Sequence, residues 1–274
     1  MNVLITGAAG GLGRAFAVEC AKRGFGLFLT DINAAGLESI RDGLIRRYGV
    51  KVTVTPCDIT DSGALDALFA RAREADFRID MLINVAGGDR EGAFMLQDAD
   101  SATRVVRLNV CAPLYATHKA LEARNPDLPF YIIFVSSLAS MYPMPLKAAY
   151  AASKRFLLDF SLALRHELLP ENVYVTTLCP AGLATTDHAM SGIAAQGFLG
   201  SATSNNLEKV TRKAIDMNLR GGFLYIPGML NKALYFIGSL VPRGLVARLI
   251  YRRWSKAQKR WLCPEQRPGA AQSN

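Results

Sequence analysis

The sequence predicts an α/β fold: a doubly wound, parallel sheet of seven strands with helices on both faces, followed by a helical C-terminal extension. Three observations carry that prediction. Seven short apolar runs recur along the first 228 residues. Longer segments with helical periodicity separate them, so strand and helix alternate, which implies right-handed crossovers and ligand sites at the carboxyl ends of the strands. A glycine-rich turn stands directly behind the first run and opens a helix.

The strands are read, in order, as "VLIT" (3 to 6), "LFLT" (27 to 30), "VTVTPCD" (52 to 58), "MLINVAG" (81 to 87), "YIIFVSS" (131 to 137), "VYVTTLCP" (173 to 180) and "FLYIPG" (223 to 228). Each is four to eight residues long, mostly continuous in its apolar character and rich in Val, Ile, Leu or Phe, as strands buried on both faces are. Helices are expected over 12 to 23, 63 to 75, 101 to 121 and 150 to 168. No linker splits residues 1 to 228, which are read as one domain, and residues 229 to 274 as an appendage.

At 274 residues, half hydrophobic and about a fifth charged, the chain has an ordinary globular balance. The five cysteines (Cys20, Cys57, Cys111, Cys179, Cys263) are scattered, and His118, His166 and His188 form no cluster, so neither a disulfide framework nor a metal is expected. The first strand begins at Val3 with no signal ahead of it, and no run of 18 apolar residues occurs. A cytoplasmic protein is predicted, with peripheral attachment at the inner membrane face through its tail as a further option.

The net charge of +9 suggests nucleic acid until it is located. Residues 1 to 216 carry 22 bases and 22 acids, whereas 217 to 264 carry nine bases (Arg220, Lys232, Arg243, Arg248, Arg252, Arg253, Lys256, Lys259, Arg260) and no acid. The excess belongs to the tail, and no nucleic-acid partner is expected. Pro242 and Gly244 divide the tail into two helices, the second interleaving Leu245, Val246, Leu249, Ile250, Trp254 and Trp261 with bases. Such a helix, within 230 to 262, lies on an anionic membrane, or alternatively packs on its own body or a second subunit.

The turn behind the first strand reads "TGAAGGLG", with Thr6, Gly7, Gly11, Leu12 and Gly13 placed to let backbone approach a pyrophosphate at a helix N-terminus. About 20 residues on, the second strand ends in Asp31, whose carboxylate can accept from a ribose 2′-hydroxyl and would repel a 2′-phosphate. NAD is therefore favoured over NADP, with Arg14 partly offsetting the repulsion; a helix cap is the alternative role for Asp31. Asp58, Ile59, Asn84, Ala86 and Gly87 fall on the same edge, with turn or cap chemistry as the alternative for Asp58 and Asn84. The fifth strand ends at Ser136 and Ser137, and 13 residues after Ser137 comes Tyr150, with Lys154 one helical turn beyond. An ammonium there can lower the phenol from its ordinary value of about 10.

Together "TGAAGGLG", "NVAG", Asn109 in "LNV", "VSS", "YAASK" and a modified "CPAGLATT" resemble the short-chain dehydrogenase/reductase family, over residues 1 to 228. The resemblance implies a Rossmann-type fold and a dinucleotide-dependent oxidoreductase acting between secondary alcohol and ketone. It makes Tyr150 the general acid/base, Ser137 the group that orients the substrate oxygen, Lys154 the residue that positions the nicotinamide ribose and tunes Tyr150, and Asn109 a holder of a relay water. It also implies that Pro180, Leu183 and Thr185 meet the nicotinamide end, and that the protein is a homo-oligomer, a dimer or tetramer. Where the family carries Pro-Gly, this chain has Pro180-Ala181, then Gly182. Residues 186 to 205, with Met190, Ile193, Phe198 and Leu199, read as an apolar lid and favour a hydrophobic, steroid- or lipid-like substrate. A dinucleotide-binding scaffold or sensor without turnover is the alternative.

Overall fold

The computed structural model describes residues 1 to 182 and 206 to 257. Leu183, Thr185, the lid at 186 to 205 and the tail end from 258 lie outside the described residues.

Seven parallel strands form one sheet in the order β3-β2-β1-β4-β5-β6-β7. They are β1 (Asn2–Thr6), β2 (Gly26–Asp31), β3 (Val52–Pro56), β4 (Met81–Asn84), β5 (Phe130–Val135), β6 (Val173–Leu178) and β7 (Leu224–Tyr225). The expected strand at 223 to 228 is cut to two residues, because Gly228 at φ 89° turns the chain straight into a helix. Strand order reverses between β1 and β4, the switch point at whose carboxyl edge sheets of this kind bind their ligands.

Side chains alternate through the sheet and feed two cores. Val3, Ile5, Leu27 and Leu29 pack with α1 (Gly11–Lys22), α2 (Ala34–Tyr48) and, through Val210, Ala214 and Ile215, with α7 (Leu207–Leu219). Leu4, Phe28, Leu82, Ile132 and Phe134 pack on the other face with α3 (Ser62–Glu74), α5 (Ala112–Glu122) and α6 (Ala148–Leu168). Burial on both faces is why the strands read as continuous apolar runs. Each buried Leu, Ile or Phe contributes about 1.5–3 kcal/mol of transfer free energy.

The single helix expected over 101 to 121 is instead three pieces. α4 (Ala99–Val106) runs into a π-helical turn, Arg107–Cys111, before α5 begins. Pro113 has no N–H to donate to the carbonyl four residues back, that of Asn109, so a regular α-helix cannot pass this point unbroken. Beyond β7 the extension forms α8 (Met229–Leu240) and α9 (Arg243–Ala257), divided at Pro242 as the sequence predicts.

At the first βα turn the packing leaves no room. A Cβ built on Gly13 would lie 2.0 Å from the Gly7 carbonyl oxygen, a clash with rigid backbone. We expect Gly13→Ala to lower unfolding free energy by about 1–3 kcal/mol, read as a lower denaturant midpoint at unchanged slope; an unchanged midpoint would contradict this packing.

Candidate active site

The loop after β1 turns at Gly7, φ 67°, and enters α1 through Gly10, with no side chain capping the helix. The first-turn N–H groups have no intrahelical acceptor, so they remain donors at the carboxyl edge of the sheet. Asp31, at the end of β2, accepts from Ala9 N at 3.0 Å and from Asn33 N at 3.0 Å. The cap of α2 is Asn33, which accepts from Gly36 N at 2.9 Å, so Asp31 is not itself the cap. Two bonds still leave a carboxylate with acceptor capacity. Arg14 donates through Nε to the Ala9 carbonyl at 2.9 Å, which holds a cation on the same loop.

Other sequence-predicted residues meet at this edge in less direct ways. Thr6 is buried, and its hydroxyl accepts from Val85 N and Ala86 N at 3.2 and 3.3 Å, fastening the end of β1 to the "NVAG" segment. Asn84 turns its amide towards Thr117 of α5 at 3.2 Å, and its buried Oδ1 has no protein partner. Ile59 buries its side chain in the core beside Leu4 and Phe28, leaving only its backbone to the edge. One oxygen of Asp58 accepts from the N–H and hydroxyl of Thr60 at 2.9 and 2.7 Å, the turn role that was the alternative, and these bonds hold its carboxyl below the usual range. Pro180 is buried, and its carbonyl accepts from Leu138 N at 2.8 Å.

The reacting group is assembled where β5 meets α6. Ser137 Oγ accepts from Ala139 N at 3.1 Å, which orients the hydroxyl, and it stands near enough to Tyr150 to favour the ionised phenol. Ser136 is structural: its buried hydroxyl donates to the Lys154 carbonyl at 2.7 Å and ties strand to helix. Lys154 is 5% exposed; its Nζ donates to the Val135 carbonyl at 2.9 Å and lies 5.9 Å from the centroid of the Tyr150 ring. Asn109 is fully buried in the π turn. Its amide donates to Gly88 O and to Ser153 Oγ, each at 2.9 Å, and accepts from Gly88 N at 2.8 Å. Ser153 in turn donates to the Tyr150 carbonyl at 2.7 Å, so Asn109 braces the loop after β4 against the first turn of α6.

Electrostatics differ from the sequence expectation. Burial pushes the Tyr150 hydroxyl up to about 12, and Asp89 adds to it; the neighbouring Ser137 hydroxyl and the Lys147 charge pull the other way and lose. Burial also pushes Lys154 down to about 8, against the upward pull of Asp89. Burial thus outweighs the charges beside the phenol, which is not brought towards neutrality as expected. Tyr150 is thus a protonated phenol across the neutral range.

Residues that no motif marked complete the site. Lys147 binds Asp89 at 2.6 Å and also pairs with Glu91. Burial opposes the Lys147 charge, and the two acids outweigh it, holding the ammonium above its ordinary value. The same Nζ lies 5.7 Å from the centroid of the Tyr150 ring and 5.9 Å from that of Trp254, on α9 of the extension. Leu146, left-handed at φ 67°, accepts from Gly92 N at 2.8 Å and clamps this segment to the acidic loop. Lys147 and Asp89 are 58 residues apart in the chain, so no local spacing betrays the cluster.

A family described as short chain dehydrogenase matches residues 1–197. Among curated relatives, a very-long-chain 3-oxoacyl-CoA reductase of Laccaria bicolor is 31% identical over 64% of this chain and 52% of its own length. A sulfoacetaldehyde reductase of Chromohalobacter salexigens is 34% identical over 69% of this chain and 74% of its own. A short-chain dehydrogenase from Sphingobium yanoikuyae, solved in complex with NADPH, superposes with a TM-score of 0.75 at 28% identity, covering 88% of this chain and 96% of that one. The chain spans 52 to 61% of the length of the first three curated relatives it matches.

The charge environment of Lys154 is directly measurable. With ε-labelled lysine, NMR titration is expected to give Lys154 a midpoint near 8. Asp89→Asn should move it lower still, because the lost carboxylate was holding the ammonium up; a midpoint at the ordinary lysine value would contradict this geometry.

Proposed function

The chain belongs to the short-chain dehydrogenase family, and from that premise we propose that it is a nicotinamide-dependent oxidoreductase interconverting a secondary alcohol and a ketone. The observation that carries the reading is the junction at the end of β5: Ser137 beside Tyr150, with Lys154 one turn on and its ammonium held at the Val135 carbonyl.

The residues present fit a dinucleotide. The uncapped N-terminus of α1 supplies donors for a pyrophosphate, and the end of β2 supplies the Asp31 carboxylate for a ribose. Gly87 keeps a cradle open, since a Cβ there would sit 3.1 Å from both Lys154 Nζ and Asn109 Oδ1. NAD is the preferred form in this reading: Asp31 repels a 2′-phosphate, and Arg14 on the same loop reduces that repulsion without removing the carboxylate.

The dinucleotide, when bound, supplies or accepts the hydride. The chain's own residues handle the oxygen. Ser137 donates to the substrate oxygen and stabilises the negative charge that develops there. Tyr150 delivers its proton to that oxygen in reduction and recovers it in oxidation. Because burial keeps the phenol protonated, the acid role is ready at neutral pH, and proton removal in the oxidative direction needs alkaline conditions or further charge beside the ring. Lys154 would hold the nicotinamide ribose when the dinucleotide binds, and Asn109 keeps α6 in register with the loop after β4.

A hydrophobic substrate belongs to the same proposal. Its support is Trp254, an indole carried by the extension to within reach of the cation beside Tyr150. The relatives' names range from a very-long-chain acyl substrate to a small sulfonate, so the family alone does not choose. A homo-oligomer is also part of the reading, supported by the exposed Phe156, stacked on Phe160 of the same helix at 5.7 Å. A scaffold without turnover has no use for an ammonium buried at such cost.

Tyr150→Phe is expected to reduce turnover by about 10³-fold or more against a panel of bulky ketones followed by NADH absorbance. NADH affinity, followed by fluorescence, should stay near wild type. Near-normal turnover by the variant would end the acid/base assignment.

A further inference from the structure

We propose that the outward faces of α8 and α9 form a docking surface for an anionic lipid bilayer. On α8, Met229, Ala233, Phe236 and Leu240 recur at spacings of four, three and four, which sets them on one side of the helix. Met229 is 80%, Phe236 65% and Leu240 71% exposed. The opposite side is fixed to the body. Asn231 is buried and donates to the Pro227 carbonyl at 2.7 Å, Tyr235 packs in the cluster of Met141, Leu158, Cys179 and Ile226, and Tyr142 donates its hydroxyl to the Leu234 carbonyl. The helix is therefore held so that its apolar stripe points away from the core.

α9 repeats the arrangement with charge. Val246, Ile250 and Trp254 lie half-buried on one side. Leu245 and Leu249 are exposed on the other, among the exposed bases Arg248, Arg252, Arg253 and Lys256. Leucines that enter the acyl boundary, with long basic side chains reaching back to phosphate, are the composition of a helix lying in a membrane interface.

Charge decides the occupant. Residues 217 to 264 hold nine bases and no acid, so a second copy of this surface would bring like charge against like charge. A bilayer containing anionic lipid presents the opposite sign and an apolar interior together. Among the described residues no helix is long and apolar enough to cross a membrane, so the surface lies on the bilayer and does not span it. Trp254, on the inner side of α9, lies one side chain, Lys147, away from Tyr150, so the helix that meets the bilayer also backs onto the reacting group.

Cosedimentation of the full chain with vesicles tests the proposal without a substrate. The expected result is strong pelleting with phosphatidylcholine vesicles containing phosphatidylglycerol, falling about tenfold with phosphatidylcholine alone and falling likewise in high salt. Phe236→Ser combined with Leu240→Ser should weaken vesicle binding about tenfold, with melting temperature and NADH binding unchanged as proof of folding. A second variant, Arg248→Ser with Arg252→Ser and Lys256→Ser, should lose the preference for the anionic lipid. Equal pelleting with both vesicle types, or undiminished binding by both variants, overturns the proposal. So does a concentration-dependent dimer, abolished by the Phe236 and Leu240 changes, in a chain that ignores vesicles: that result would give the face to a second copy.

Discussion

A buried ammonium against a strand-end carbonyl is the constraint around which the site is arranged. Lys154 Nζ holds Val135 O, and Ser136 Oγ holds Lys154 O, so strand β5 and helix α6 are clasped in both directions. A charge taken out of water is tolerated only where its hydrogen bonds are fixed in place. Here that requirement fixes the first turns of α6 against the last residue of β5, and Tyr150 and Ser137 ride on those two elements. Loss of the clasp would let the two hydroxyls drift by more than proton transfer allows.

The same low-dielectric setting sets the protonation states. It penalises the phenolate and the ammonium alike, so the tyrosine is pushed up and the lysine down. Neighbouring charge then adjusts each. Asp89 raises both groups, whereas Lys147, itself held charged by Asp89 and Glu91, opposes the rise at Tyr150. The acidic loop after β4 and the entry to α6 thus act on Tyr150 through two charges of opposite sign, and the C-terminal extension joins them through Trp254.

Local chemistry was legible in the sequence where period or a turn residue encodes it. The seven strands, the glycine turn, the helix carrying Tyr150 and Lys154 and the division at Pro242 all follow from side-chain alternation, helical spacing or backbone permission. The break at Asn109 was written there too, since a proline at 113 forbids a regular helix, yet the apolar spacing on either side conceals it. What periodicity cannot express is which way a polar strand-end residue turns. Thr6 and Asn84 look inward to hold the frame, and Asp58 spends one oxygen on its own turn. Lys147 and Asp89, and still more Lys147 and Trp254, meet only once the chain is folded. The rise in Tyr150 belongs to this class as well: sequence shows a lysine one turn away, but not that burial outweighs it.

A crystal structure of the chain grown with NADH would show whether the clasped lysine faces the dinucleotide. The nicotinamide ribose is expected within hydrogen-bond reach, about 3 Å, of Lys154 Nζ, with the ring edge facing the Tyr150 and Ser137 hydroxyls. A dinucleotide lying with its nicotinamide away from β5, or a lysine still turned wholly to Val135 with no ribose contact, would contradict it.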